Sequence, residues 1–257
     1  MRSTRHLPRY ANAQNHYSDF WRKRSEQYNK LEWANHQSYL EAFTRAGDFE
    51  ETDVVLDVGT GTGIVAHAIS PQVNQVIGLD KSQDMLEYSN WYGNMYFIRR
   101  DLLDPIFKDE AFDKVTARQV FHHILEGTQE AMDECYRVLK TGGKMIFSEG
   151  VPPSEEVKDD YIEIFKLKEE RLTFMDEDLI ALMAGAGFKD IQMSVLWLRQ
   201  MSVKNWLVNS GLPESIQDKI FKLHRNAEDY FKRAYNLIEN GGDCLIDMKM
   251  AIVVGEK

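Results

Sequence analysis

Three aspartates, Asp57, Asp80 and Asp101, each follow an apolar run, and the first leads into the turn Gly59-Thr60-Gly61-Thr62-Gly63. Carboxylates accept hydrogen bonds from hydroxyl, amino and amide groups. Glycines let a backbone turn sharply and come close to a ligand. A fourth apolar run, Ala111 to Ala117, is followed by Arg118 and the pair His122-His123. Histidine can take a proton near neutral pH, and arginine can hold a carboxylate or phosphate with two parallel bonds. These types and spacings describe a nucleotide-like ligand held beside a group able to accept a proton. No cluster of acids or histidines is spaced for a metal. Cys135 and Cys244 have no paired spacing.

The elements that must position these residues follow from pattern. Val54 to Val58 reads as a buried strand, with a helix starting at Ile64. Gln75 to Asp80, Met95 to Ile98 and Ala111 to Ala117 read as further strands. A helix ending in Tyr136-Arg137-Val138-Leu139-Lys140, capped by Gly142-Gly143, precedes a strand from Lys144 to Glu149. Strand and helix thus alternate over 50–150, the pattern of a parallel sheet covered on both faces. Ligands of such sheets lie at the C-terminal strand ends, where all the candidate residues fall. The dinucleotide fingerprint is broken, because its sixth position, counted from Gly59, is the bulky Ile64. The Walker lysine is absent too. Asp80 lies in the window, ~20 residues beyond the glycines, where an acid receives a ribose hydroxyl pair.

The D-x-G-x-G-x-G stretch from Asp57 to Gly63 resembles the glycine-rich motif of class I S-adenosylmethionine-dependent methyltransferases. Arg137-Val138-Leu139-Lys140 with Gly142-Gly143-Lys144 resembles the same family. The likeness covers about 50–150 well and Phe174 to Phe188 more loosely. It implies an α/β fold, doubly wound, with a mostly parallel seven-stranded sheet and helices on both faces. It also implies S-adenosylmethionine as cofactor and S-adenosylhomocysteine as product. In that pattern Asp57, Gly59, Thr60, Gly61 and Gly63 serve the cationic methionine end, Asp80 with Lys81 the ribose, and Asp101 with Leu102 the adenine. Arg118 lies close enough to touch the cofactor or to anchor an acidic substrate.

Methyl transfer from a sulfonium needs an aligned nucleophile, excluded water and, for oxygen acceptors, a base. His123 is the preferred base and His122 the alternative. Arg118 is counted with them, although an ion pair with Glu149 is an equal use for it. Glu149 and Arg171 are substrate candidates of the same kind. Residues 1–49 carry an aromatic stripe that reads as a helical lid, with Tyr17 and Trp21 facing the substrate. The core spans 50–200, and Thr173 with Asp176 opens its last helix, which ends at Gly187. A strand follows from Ile191 to Leu198. Residues 201–243 read as an insertion of three short helices, the first capped by Ser202 and the third running from Ala227 to Ile238, and 244–257 as the final strand, which the family resemblance implies is the antiparallel partner of strand six. The apolar face of the insertion is too extensive for solvent and is expected to cap the substrate.

A net charge of −10 over 257 residues argues against nucleic acid as partner. The basic cluster from Arg2 to Arg24 reads as a solvated helix face. No run of ~18 apolar residues exists to insert in a membrane, and the first nine residues lack a secretory core. Two unpaired cysteines suit the cytoplasm. The expectation is a cytoplasmic small-molecule methyltransferase, monomeric or homodimeric. Two other readings stand: a nucleic-acid or protein methyltransferase, and a non-catalytic cofactor-binding module. A preformed substrate cavity beside the cofactor favours the enzyme, and one filled by aromatic rings the module.

Overall fold

A computed structural model describes residues 21–89, 93–104 and 107–257. Five parallel strands form one wing and the centre of its sheet: β1 (Val54–Val58), β2 (Gln75–Asp80), β3 (Met95–Arg99), β4 (Phe112–Arg118) and β5 (Leu139–Val151). On the other wing, β8 (Asp243–Glu256) runs antiparallel between β5 and β6 (Lys189–Ser202). The order is β3-β2-β1-β4-β5-β8-β6. The chain crosses over from β1 to β2 on one side and reaches β4 on the other, so a crevice opens at the C-terminal ends of β1 and β4.

Side chains alternate between faces along each strand. Leu56, Val58, Val115 and Phe147 pack with Met132 and Cys135 of α5 (Thr128–Val138) and with Leu179 of α7 (Asp176–Ala186). Val55, Val76 and Ile146 pack on the opposite face, against Phe43 of α2 (Gln37–Gly47), Ile69 of α3 (Ile64–Ile69) and Leu86 of α4 (Gln83–Leu86). The helical stretch over 21–28, α1, and the turn after it lie over the crevice instead. Thr62 Oγ1 donates to Asn29 Oδ1 at 2.6 Å and ties that turn to the glycine loop. A third apolar cluster joins α6 (Lys158–Lys168) to the insertion helices α8 (Val203–Val208), α9 (Glu214–Arg225) and α10 (Asp229–Ala234) through Tyr161, Ile164, Val203, Ile220 and Phe231.

The seven strands expected are joined by an eighth among the described residues, β7 (Ile238–Asn240), which pairs with β8. The predicted helix over Ala227 to Ile238 therefore stops at Ala234. Gly241 and Gly242, at φ 56° and 80°, make a two-residue hairpin turn that such paired positive dihedrals favour, and the start of β8 supplies the partner. The helix expected to reach Lys140 ends at Val138, because Leu139 turns extended and pairs with Phe112. The last core helix begins after Met175 rather than at Thr173. Met175 is buried and the Asp178 carboxylate accepts from its N–H at 2.8 Å, so the cap forms where the chain enters the core. The strand expected from Ile191 to Leu198 extends over Lys189–Ser202 because β8 pairs with it along that length. Ser202 caps α8 as expected, accepting from the Asn205 N–H. Among the described residues no helix is long and apolar enough to cross a membrane.

Candidate functional site

The glycine turn is built on Asp57 and Asp80. Asp57 is buried, and its two oxygens accept from Thr60 Oγ1 at 2.7 Å and Thr116 Oγ1 at 2.8 Å. Burial pushes its pKa up to about 6, against the pull of those hydroxyls and Arg118. Asp80 accepts from the Gly61 N–H at 2.9 Å and the Ser82 N–H at 2.8 Å. Its pKa is raised by burial, and the same bonds oppose the rise. Gly59 shows why a side chain is excluded here. Its φ is 61°, and a Cβ would lie 2.4 Å from Val120 Cγ2. Gly63 stands behind the turn at the start of α3 and packs against Phe97 instead of lining the crevice.

The crevice encloses about 890 Å³ of space, part of it continuous with solvent. Asp57, Gly59, Thr60, Gly61, Asp80, Lys81, Asp101, Leu102 and Arg118 all line it, which brings together nine of the ten expected cofactor positions. Asp101 is half exposed, its Oδ2 4.0 Å from Lys81 Nζ. Arg118 does not pair with Glu149. Its Nη1 donates to the Ala34 carbonyl at 2.9 Å, and the guanidinium lies 5.1 Å from the Tyr39 ring centre. Sequence reasoning missed Tyr28, Met85 and Gln119, which line the same cavity. Tyr28 stood in the aromatic stripe, but nothing in the pattern marked it. Gln119 has the unusual φ of 62°, a conformation that no side-chain spacing reveals.

A second cavity of about 470 Å³ adjoins the first and shares Trp21, Tyr28, Gln119 and His123 with it. Trp21 meets His123 edge to face, with centres 4.9 Å apart. Tyr17 lies outside the described residues. Burial and the neighbouring His122 hold the His123 pKa well below the usual histidine range. His122 is also held well below that range by burial, and borders only the second cavity. Its Nδ1 lies 2.5 Å from Glu149 Oε2. With His122 neutral, so short a contact requires one proton between the two atoms.

Glu149 borders neither cavity. Its Oε1 accepts from the N–H groups of Val120, Phe121 and His122, so it shapes the turn after β4. The expectation that Glu149 touches substrate is corrected here: β5 places it one layer behind the histidines, 1% exposed. Burial pushes its pKa up to about 7. Arg171 does line the second cavity, together with Lys168 and Glu169, which the sequence reading did not single out, and Arg24, which it placed on a solvated helix face but which is buried, 5% exposed.

No cluster of acids or histidines is spaced for a metal in the sequence, yet the fold gathers one group of such side chains. His122, His123 and Glu169 place ligand atoms within 4.8 Å of one another, a grouping that only the chain's return after α6 creates. Arg24 and Lys168 both pair with that glutamate, and Arg171 lies 3.7 Å away, so its charge is already answered and a divalent ion is opposed.

Comparison with known proteins agrees with the fold. The family described as a methyltransferase domain matches residues 56–147. The uncharacterized methyltransferase YcgJ of Bacillus subtilis is 25% identical over 216 residues, covering 79% of this chain and 84% of that protein. Its solved structure superposes with a TM-score of 0.76 at 23% identity, over 86% of this chain and 99% of that one. A demethylmenaquinone methyltransferase of Clavibacter sepedonicus is 27% identical over 208 residues, 77% of this chain and 82% of that protein. Phosphoethanolamine N-methyltransferase 2 of Haemonchus contortus was solved with phosphomonomethylethanolamine and S-adenosylhomocysteine. It superposes at a TM-score of 0.59 and 19% identity, over 86% of this chain and 52% of that one.

Proposed function

Because the chain is a class I S-adenosylmethionine-dependent methyltransferase, we propose that it methylates a small, partly apolar molecule at oxygen or carbon. The observation that carries this reading is the second cavity, which meets the glycine-loop crevice at His123 and Trp21. A non-catalytic module would have no use for such a chamber. The likeness to a demethylmenaquinone methyltransferase supports a small apolar acceptor. The net charge of −10 speaks against nucleic acid. The buried, unpaired Cys135 and Cys244 suit a reducing cytoplasm.

S-adenosylmethionine supplies the electrophilic methyl group when bound. The residues present fit it. Asp80 keeps lone pairs for ribose hydroxyls beyond its two backbone bonds, and Asp101 keeps Oδ2 for an adenine amino group. Asp57 and the glycine turn receive the methionine end. Trp21 closes the junction of the two cavities against water. His123, neutral, accepts the proton that an oxygen acceptor sheds. Arg171 and Trp21 contact the acceptor, with Tyr17 assigned to the same role. Glu149 orients His122 and the turn that carries His123.

Calorimetric titration with S-adenosylmethionine, S-adenosylhomocysteine and NAD tests the cofactor assignment, and radiolabelled methyl transfer to a compound panel tests the acceptor class. Micromolar binding of the first two without NAD is expected. Binding of NAD alone would overturn the reading.

Asp57 makes cofactor binding depend on pH. Its folded pKa is raised, so unliganded protein holds a proton there between about pH 4 and 6. The stability from this group is therefore complete below the unfolded value and is lost as pH rises through about 6. By the size of the shift this amounts to about 3 kcal/mol. An ammonium group at Asp57 favours the carboxylate. Cofactor binding at about pH 5.5 is thus expected to release on the order of half a proton or more, and at about pH 8 almost none. Calorimetry in buffers of different ionisation enthalpy measures this. Persistence of the release in Asp57→Asn would assign it elsewhere.

A further inference from the structure

Arg171 lies where a buried guanidinium has too few acceptors. Its side chain is 6% exposed. It stacks on Phe165, 4.3 Å from the ring centre, and its Nε donates to the Leu172 carbonyl at 3.2 Å. Its Nη1 comes only to within 3.7 Å of Glu169 Oε1. That carboxylate is already taken, Oε1 by Lys168 Nζ at 2.5 Å and Oε2 by Arg24 Nη1 at 2.9 Å. Among the described residues, the Nη groups of Arg171 make no hydrogen bond. These donors are not sealed in protein but open on the second cavity, where solvent or a ligand must accept from them. The cofactor crevice does not include Arg171 as a lining residue, whereas the second cavity does, beside His122 and His123. The group that completes Arg171 therefore belongs to whatever fills the second cavity.

The other end of that cavity has the opposite character. Tyr161, Phe165, Trp206 and Met248 are shared with a third cavity of about 550 Å³, which runs beneath the 201–243 insertion. Its walls are chiefly apolar, with Val151, Ile164 and Ile246 among them. A molecule reaching from the histidines into this space would meet cations at one end and hydrocarbon at the other.

We propose that the methyl acceptor is an amphipathic acid, its carboxylate or phosphate oxygens bound by the Nη groups of Arg171 and its apolar arm lodged in the third cavity. The planar fork of arginine suits such oxyanions bidentately, and Lys168 and Arg24 make the surroundings positive. This inference rests on the methyltransferase reading above and narrows its substrate class. Lys168 and Glu169 act as positioning residues, because their mutual pairing leaves the arginine fork facing the cavity.

The test uses matched pairs titrated calorimetrically into full-length protein saturated with S-adenosylhomocysteine: decanoate against decanamide, 4-phenylbutyrate against its amide, and decyl phosphate against decanol. At least one acid is expected to bind tenfold or more tightly than its neutral partner, and the favoured pair distinguishes carboxylate from phosphate. Arg171→Met keeps the stem over Phe165 and is expected to erase the preference with S-adenosylhomocysteine affinity unchanged, while Arg171→Lys restores part of it. If no acid is preferred by the wild-type protein, or if the preference survives in Arg171→Met, the inference is overturned and the methyltransferase reading stands. If S-adenosylhomocysteine itself fails to bind the wild-type protein, the underlying reading falls first.

Discussion

Replacement of His123 by alanine is expected to lower turnover by about 10²- to 10⁴-fold, the usual contribution of a positioned acid–base group. Cofactor affinity is expected to stay unchanged, because His123 is not among the cofactor positions, which are the glycine loop, the three aspartates, Lys81, Leu102 and Arg118. His123 is favoured over His122 by location. It borders both the cofactor crevice and the second cavity, whereas His122 borders only the second and is committed to Glu149. Burial and His122 hold its pKa well below the ordinary histidine value, so the imidazole is neutral and able to accept a proton across the neutral range. The rate should accordingly be flat around neutrality and decline only at pH below about 6.5, the unperturbed value. Radiolabelled methyl transfer at saturating cofactor checks both statements. Full turnover in a folded His123→Ala protein would transfer the role to His122 or to water, or show that the acceptor needs no base.

Asp80→Ala is expected to weaken S-adenosylhomocysteine binding by about 1–3 kcal/mol, roughly fivefold to 150-fold in Kd. Two losses combine. The ribose hydroxyls lose an ionised acceptor, and the N–H groups of Gly61 and Ser82 lose the carboxylate that holds the turn in shape. Asp80→Asn keeps one acceptor oxygen and should fall between the two. Calorimetry gives the affinity and a thermal midpoint gives the folding control. A folded Asp80→Ala protein with wild-type affinity would remove Asp80 from the ribose role.

The cofactor crevice was legible in the sequence because its residues are local. Asp57 to Gly63 is one strand end and one turn, and Asp80, Asp101 and Arg118 end the following strands in chain order. A parallel sheet delivers such residues to one edge by its geometry, so reading strand ends amounts to reading the site. The second cavity was not legible. Arg24 comes from α1, Lys168 ends α6, and Glu169 and Arg171 follow it, and no period or motif links the two regions. Glu149 shows the same limit within the core. It stands at a strand end like the aspartates, yet β5 turns it toward the backbone behind the histidines.

By itself the sequence determined the parallel strands over 50–150, the glycine turn and the three acids, because strand alternation, glycine geometry and hydrophobic period are local properties that packing can only accept. Tertiary structure alone decided where Leu139 leaves its helix, that β7 forms at all, which histidine reaches both cavities, and which arginine is left with its donors facing inward. Each of these depends on what arrives from another part of the chain: Phe112 of β4 beside Leu139, an edge of β8 for β7, the Glu149 carboxylate of β5 at His122, and Arg24 of α1 at the glutamate beside Arg171. A buried group's role is set by the partners it meets, and those partners are chosen by the fold rather than by sequence neighbours.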